Sequence, residues 1–199
     1  MSTIAMDRLE TGRLILRHPE ERDVAPMTAL ANRREIATRL ALMPHPFYEC
    51  HAAAFVESLA TLPQPHGVFA ITLKPGGQLI GMCGYGPRHD NGELDMGYWL
   101  GVEYWGRGYA TEAAAAVVDH AFSISKVEAL PSGYHKDNPA SGRVLAKLGF
   151  RIVGEEMQES VGAGGVVDTW LLVLTRADWL AGRAASGPPN CNDISRVWR

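Results

Sequence analysis

The sequence is poor in cysteine and contains no long apolar run. Only three cysteines occur among 199 residues, and their odd number and wide spacing argue against a disulfide framework or a cysteine-rich metal site. No stretch reaches the roughly 18 apolar residues that a transmembrane helix needs. The first eight residues also lack the apolar core of a signal peptide. We therefore expect a cytoplasmic protein without a membrane partner.

The chain also lacks a strong excess of charge. Its 19 Lys and Arg residues against 22 Asp and Glu give a net charge of -3, which predicts no general attraction to nucleic acid. A hydrophobic content of 46% and a charged content of 21% are typical of a globular protein. We predict one domain over residues 1–181 and a flexible tail over residues 182–199, which is rich in Gly, Ser, Pro and Asn.

Hydrophobic periodicity predicts about seven strands and about four helices in mixed order. The strands are expected at residues 9–17, 68–74, 78–85, 93–102, 127–134, 150–157 and 166–174. The helices are expected at residues 20–31, 50–62, 108–122 and 138–148, with a short turn or helix at 175–180. Residues 90–92 read as a tight turn before the fourth strand. This order predicts an α+β fold in which helices cover a largely antiparallel sheet.

Two glycines flank one arginine where the fourth predicted strand meets the third predicted helix. The first amides of a helix have no intrahelical acceptor, and the helix dipole adds positive charge there. Glycines let phosphate oxygens approach the backbone closely. The segment lacks both the P-loop and the dinucleotide fingerprint, and a plain strand–helix turn is the alternative reading. Our prediction is a diphosphate cradle built by Arg107, Gly108, Tyr109, Ala110 and Thr111.

Two segments taken together resemble the GNAT N-acetyltransferase superfamily. They are YWGRGYATEA at residues 104–113 and NPASGRVLAKLGF at residues 138–150, and the opening LETGRLILR at residues 9–17 resembles the RimJ/RimL-like branch. The resemblance implies a GNAT-like sheet whose fourth and fifth strands splay at a bulge. It also implies acetyl-CoA as co-substrate without a metal, and direct transfer of an acetyl group to a primary amine. That amine would belong to a protein N-terminus or a small molecule, and a homodimer is possible.

The resemblance also implies how the cofactor is held. The family signature Q/R-x-x-G-x-G/A falls on residues 105–110, where Gly108 and Ala110 match and Trp105 replaces Gln or Arg. The pyrophosphate would lie at residues 107–111, and the pantetheine would pair with backbone near Leu100 and Val102. Asn138 matches the asparagine that contacts the cofactor arm. It is also a good helix cap, and the two roles can coexist.

Acetyl transfer requires a base, because an alkylammonium is almost fully protonated at pH 7. Glu93 and Asp95 project to one face of the predicted strand, opposite Met96 and Tyr98. Asp95 stands where this branch often has glutamate, so we predict Asp95 as a base acting through water, with Glu93 as the next candidate. The alternative is a pair of strand carboxylates that face solvent or an arginine.

The sequence offers several candidates for the general acid. Many relatives carry a tyrosine two residues before the lysine of the last motif helix, and Leu145 stands there. Ser141, Tyr134 and His135 are the substitutes, and Ser141 shares a helix face with Asn138. The missing tyrosine and the shortened base leave an alternative open, namely a regulatory module that binds acyl-CoA without turnover. A nucleotide-binding protein is a third reading.

Overall fold

Eight strands form one continuous sheet in the computed structural model, which describes residues 8–88, 92–124 and 127–186. The sheet order is β1-β2-β3-β4-β5-β6-β8-β7, and every neighbouring pair is antiparallel except β5 and β6. The strands are β1 Leu9–Glu10, β2 Leu14–Arg17, β3 Gly67–Leu73, β4 Leu79–Pro87, β5 Leu94–Leu100, β6 Ala129–His135, β7 Arg151–Ser160 and β8 Gly165–Thr175. This confirms the α+β fold and the largely antiparallel sheet.

The strand count differs from the prediction because the first strand is broken. Thr11 begins a turn in which its amide donates to the carbonyl of Leu14 at 3.0 Å, so β1 folds back on β2. The turn residues Thr11, Gly12 and Arg13 interrupt the apolar pattern, and the prediction of one strand over residues 9–17 did not take this local signal into account. Two of the three residues of the turn predicted at 90–92, Asp90 and Asn91, lie outside the described residues.

Six helices cover the sheet in the part of the chain that the structure describes. They are α1 Val24–Ala31, α2 Arg34–Ala37, α3 Glu49–Ser58, α4 Tyr109–Ile124, α5 Pro139–Lys147 and α6 Arg176–Ser186. The four-residue α2 is too short to show a period in the sequence. The last helix continues past residue 181, where we predicted the tail to begin, and residues 187–199 lie outside the described range. Among the described helices, none combines the length and apolar composition that crossing a membrane requires.

The sheet carries a core on each face. The alanine- and valine-rich side of α4 packs with Leu14, Ile71 and Ile80 in the larger core. Residues of α1 and α3 pack with Met82 and, at its edge, Trp99 in the smaller one. Alternate residues of β5 therefore face different helical layers.

The two parallel strands, β5 and β6, pair at a single position, and the sheet separates between them on either side of it. Met96 of β5 pairs with Ser132 of β6, and the Ser132 hydroxyl donates to the Met96 carbonyl at 2.8 Å. The predicted splay between these strands is thus present. The predicted bulge is wrong, since β5 pairs one-to-one with β4 from Leu94 to Leu100. With only one bridge between them, β5 follows the twist of β4 while β6 follows that of β8.

Candidate active site

A cleft of about 680 Å³ lies where β5 and β6 separate. Its walls come from the end of β5, the start of α4, the middle of β6 and the first turns of α5. Of the predicted site residues, those that line it are Leu100, Gly108, Tyr109, Ala110, Thr111, Asn138 and Ser141. The lining residues do not include Glu93, Asp95, Val102 or Arg107. One cavity thus joins both sequence motifs.

The N-terminus of α4 presents free amides to this cleft. Gly106 and Gly108 have φ angles of 72° and 79°, which other residues rarely adopt. The amide of Glu112 donates to the Gly108 carbonyl at 3.1 Å, so the amides of the three residues before it precede the helical ladder. Space around Gly106 is open, since an added Cβ would meet nothing within 4 Å. These donors and the helix dipole suit an anionic ligand.

A network from the β1–β2 turn holds this corner in place. Glu112 Oε1 accepts from the Thr11 hydroxyl at 2.6 Å and the Arg13 amide at 2.8 Å, and Oε2 accepts from Arg13 Nε at 2.7 Å. Arg13 Nη1 also donates to the Arg107 carbonyl at 2.9 Å. Burial favours the neutral acid, but the hydrogen bonds from Thr11 and Arg13 outweigh it and lower the pKa of Glu112. Arg13 thus fixes the Arg107 carbonyl and places a positive charge at this corner, which also suits an anionic ligand.

Trp105 braces the end of β5. Its indole Nε1 donates to the Leu100 carbonyl at 2.9 Å, while the Gly101 amide donates to Ile80 at 2.9 Å. Val102 lies in the following 3-10 turn, where its carbonyl accepts from the Trp105 amide at 3.2 Å. A carbonyl oxygen has two lone pairs, so Leu100 can still accept a second hydrogen bond from a ligand.

The two candidate bases lie on the other face of β5. Asp95 pairs opposite Gly86 and shares its strand face with Trp99, which packs on the α1–α3 side. Glu93 precedes the strand, and its carbonyl accepts from the Arg88 amide at 2.7 Å. The Asp95 carboxylate is thus separated by the strand from Tyr98, which packs against the larger core with α4 and α5.

Ser141 and Asn138 occupy the first turn of α5, beside Tyr98. Asn138 caps the helix, since its Oδ1 accepts from the Ser141 amide at 3.3 Å. Within the described residues, Asn138 Nδ2 has no acceptor and remains able to donate to a ligand. The Ser141 hydroxyl lies 2.8 Å from the Tyr98 hydroxyl. Leu145 is fully buried in the core and does not line the cleft.

The other two acid candidates differ in their positions. Tyr134 lines the cleft, with its ring against Gly142. His135 does not line it, and its buried Nδ1 lies 3.0 Å from the carbonyl of Thr38. A carbonyl only accepts, so Nδ1 carries the hydrogen and His135 ties β6 to the segment after α2.

Sequence reasoning missed the basic side chains of the cleft. Arg39 follows α2 and donates to the Asp137 carbonyl at 3.1 Å, while Arg143 and Lys147 line the cleft from α5. The spacing of Arg143 and Lys147, four residues apart on one helix, was a visible signal. Arg39 had no such signal in the sequence, because only the tertiary fold brings it next to α5. The described residues contain no group of three His, Cys, Asp or Glu side chains suited to a metal.

The family model for the acetyltransferase (GNAT) domain matches residues 13–151. The chain belongs to the GNAT acetyltransferase family. This GNAT enzyme is 30% identical over 166 residues to the uncharacterized N-acetyltransferase YoaA of Bacillus subtilis, covering 81% of this chain and 92% of YoaA. It is 25% identical over 179 residues to the uncharacterized N-acetyltransferase p20 of Bacillus licheniformis, covering 87% and 99%.

Solved GNAT structures share its fold. RimJ of Mycobacterium smegmatis, in complex with CoA-disulfide, superposes with a TM-score of 0.71 at 22% identity, covering 83% of each chain. The expected membership in the GNAT superfamily is confirmed, and the protein is an N-acetyltransferase.

Proposed function

We propose that this GNAT enzyme binds acetyl-CoA in the cleft between β5 and β6 and transfers the acetyl group to a primary amine. The observation that carries the proposal is the row of free amides at the start of α4, which opens into the cleft. The residues fit the donor, because a diphosphate needs several N–H donors and the two loop glycines leave it room. The relative that contains CoA-disulfide adds support.

The proposed binding roles divide along the cleft. The backbone of residues 107–111 would hold the diphosphate through Arg107, Gly108, Tyr109, Ala110 and Thr111. Leu100 and Val102 would offer backbone groups to the pantetheine, and Asn138 Nδ2 would donate to the same arm. Arg143 and Lys147 add positive charge at the α5 side of the cleft. When bound, acetyl-CoA supplies an activated acyl group, and no metal is needed for its transfer.

The proposed chemistry uses both faces of β5. An amine with an ordinary pKa near 10.4 must lose a proton before it attacks. Asp95 would accept that proton through a water molecule, with Glu93 as the second candidate. Ser141, on the opposite face, would donate a hydrogen bond to the departing sulfur. An ordinary thiol has a pKa near 8.5, so the thiolate is a competent leaving group without full proton transfer.

The acceptor is a primary amine of a protein N-terminus or of a small molecule. A non-catalytic acyl-CoA-binding module is the second candidate, and the buried Leu145 at the family's tyrosine position favours it. The two differ in one respect, since only the enzyme releases CoA when an amine is added.

The test is CoA release with a panel of amines, together with calorimetry of acetyl-CoA binding. We expect Asp95→Asn to reduce kcat by about a hundredfold or more, the usual contribution of a general base, and to leave acetyl-CoA affinity unchanged. Asp168→Asn is the matched control, because Asp168 is an exposed strand carboxylate paired with Lys136. Binding without turnover for every amine would favour the module, and absence of acetyl-CoA binding would refute both readings.

A further inference from the structure

Tyr98 lines the cleft and places a half-buried hydroxyl against the helix that carries Ser141. The Tyr98 oxygen lies 2.8 Å from Ser141 Oγ and 3.2 Å from the Ser141 carbonyl oxygen. Burial raises the pKa of Tyr98 well above its usual value, and the hydrogen bond with Ser141 offsets this only in part. The phenol therefore keeps its proton throughout the neutral pH range and remains a donor.

The two hydroxyls share two hydrogens, and these can be arranged in two ways. If Tyr98 donates to the Ser141 carbonyl, Ser141 must donate to the Tyr98 oxygen and its hydrogen is consumed. If Tyr98 donates to Ser141 Oγ, the serine hydrogen is free for a ligand in the cleft. The 2.8 Å separation is the usual length of an O–H···O bond, whereas 3.2 Å is longer than the usual range. The distances favour the second arrangement.

We propose that Tyr98 is a positioning residue that donates its hydrogen to Ser141 Oγ and so turns the serine hydrogen toward the thioester sulfur of the acyl donor. This inference rests on the proposed function of the cleft. It gives the site a substitute for the tyrosine that Leu145 replaces, built from β5 and the first turn of α5 instead of from the second turn. Tyr98 acts through Ser141 and does not itself need to touch the substrate.

The proton and electron balance is simple. When the carbon–sulfur bond breaks, its electron pair stays on sulfur. Ser141 donates a hydrogen bond to that anion and keeps its proton, and Tyr98 keeps its own proton as well. The thiolate leaves the cleft and takes a proton from water, while the proton of the amine has gone to the base. No phenolate forms, which agrees with the raised pKa of Tyr98.

The test measures the pKa of the thiol of bound CoA, so it needs no amine acceptor. The ultraviolet absorbance of the thiolate is followed against pH with CoA bound to the wild-type protein, Tyr98→Phe, Ser141→Ala and the double variant. A hydrogen bond to sulfur stabilises the thiolate, so we expect the bound thiol of the wild type to titrate below free CoA. Tyr98→Phe should raise that pKa by about 0.5 to 1 unit, the equivalent of one hydrogen bond.

The double variant and a control make the result specific. Ser141→Ala should raise the pKa of the bound thiol in the wild-type background and have no further effect when Tyr98 is already Phe. Tyr85→Phe is the control, since it removes another buried tyrosine hydroxyl, one that bonds His120 in the core. We expect it to leave the thiol pKa unchanged.

The outcomes separate this inference from the proposed function. CoA binding with the same thiol pKa in the wild type and Tyr98→Phe would refute the role of Tyr98 and leave the proposed function standing. Additive shifts in the double variant would also refute it, because the two residues would then act independently. Failure of the wild type to bind CoA would refute the proposed function and this inference with it.

Discussion

Replacement of Gly108 by alanine tests the diphosphate cradle, and the chain offers a matched control. Gly108 and Gly76 both have φ of +79°, one at the start of α4 and the other in the β3–β4 turn. An alanine in this conformation costs about 1–2 kcal/mol, so both variants should lose that amount of stability. The added Cβ would lie 3.4 Å from Arg13 Nη2 at position 108 and in open space at position 76. The protein itself accommodates both methyl groups.

The two variants should differ in ligand affinity. At position 108 the methyl group stands beside the amides that receive the diphosphate, and the strained loop shifts their direction. Loss of one hydrogen bond to a charged group costs about 1.5–3 kcal/mol, which is about a ten- to hundredfold increase in Kd. Calorimetric titration with CoA measures the affinity, and urea unfolding measures the stability. Equal CoA affinity in Gly108→Ala and Gly76→Ala would refute the cradle.

Two further predictions concern a buried ion pair and a tight contact at a glycine. Asp23 is buried, and its carboxylate accepts hydrogen bonds from both Arg17 Nη1 and Nη2 at 2.7 Å. Burial raises the pKa of Asp23, but the hydrogen bonds from Arg17 and Glu20 outweigh burial and hold the pKa below its usual value. The ionised Asp23 carboxylate therefore stabilises the fold fully above about pH 4, and this stabilisation is lost as the pH falls through the folded-state pKa. Asp23→Asn should lower the free energy of unfolding, measured in urea, by about 3 kcal/mol at pH 7 and by less at pH 3. An equal cost at both pH values would contradict this. Gly142→Ala would place a Cβ 2.6 Å from Tyr134 Cζ and should destabilise the protein by about 1–3 kcal/mol and weaken CoA binding. Gly154→Ala, with nothing within 4 Å of the new Cβ, is the control, and equal effects of the two would contradict the tight contact.

Much of the site could be predicted because its signals are local. The glycines at 106 and 108 mark the strand–helix turn, and the Asn138-Pro139 pair marks the start of α5. Strand parity predicted opposite faces of β5 for Asp95 and Tyr98, and Tyr98 does pack against the larger core. Each of these inferences depends on residues within one turn or strand.

The remainder depends on contacts between distant residues. Arg13 contacts Glu112, which lies 99 residues further along the chain. Tyr98 contacts Ser141, which lies 43 residues further along the chain. No periodic pattern in the sequence predicts either contact, because only tertiary packing brings the two partners together. The short α2 was missed for the same reason, since its ends are fixed by the elements it packs against. The break between β1 and β2 is a local turn at residues 11–13, and it was missed although Gly12 marks it in the sequence. The homodimer and the cytoplasmic location stay predictions.

The most direct test of the diphosphate cradle is an NMR titration of the wild-type protein with CoA, in which backbone amide signals are followed. We expect the amides of Tyr109, Ala110 and Thr111 to move downfield together as CoA saturates the protein, because they take up hydrogen bonds to the diphosphate. Saturation by CoA while these three amides stay where they were would contradict it.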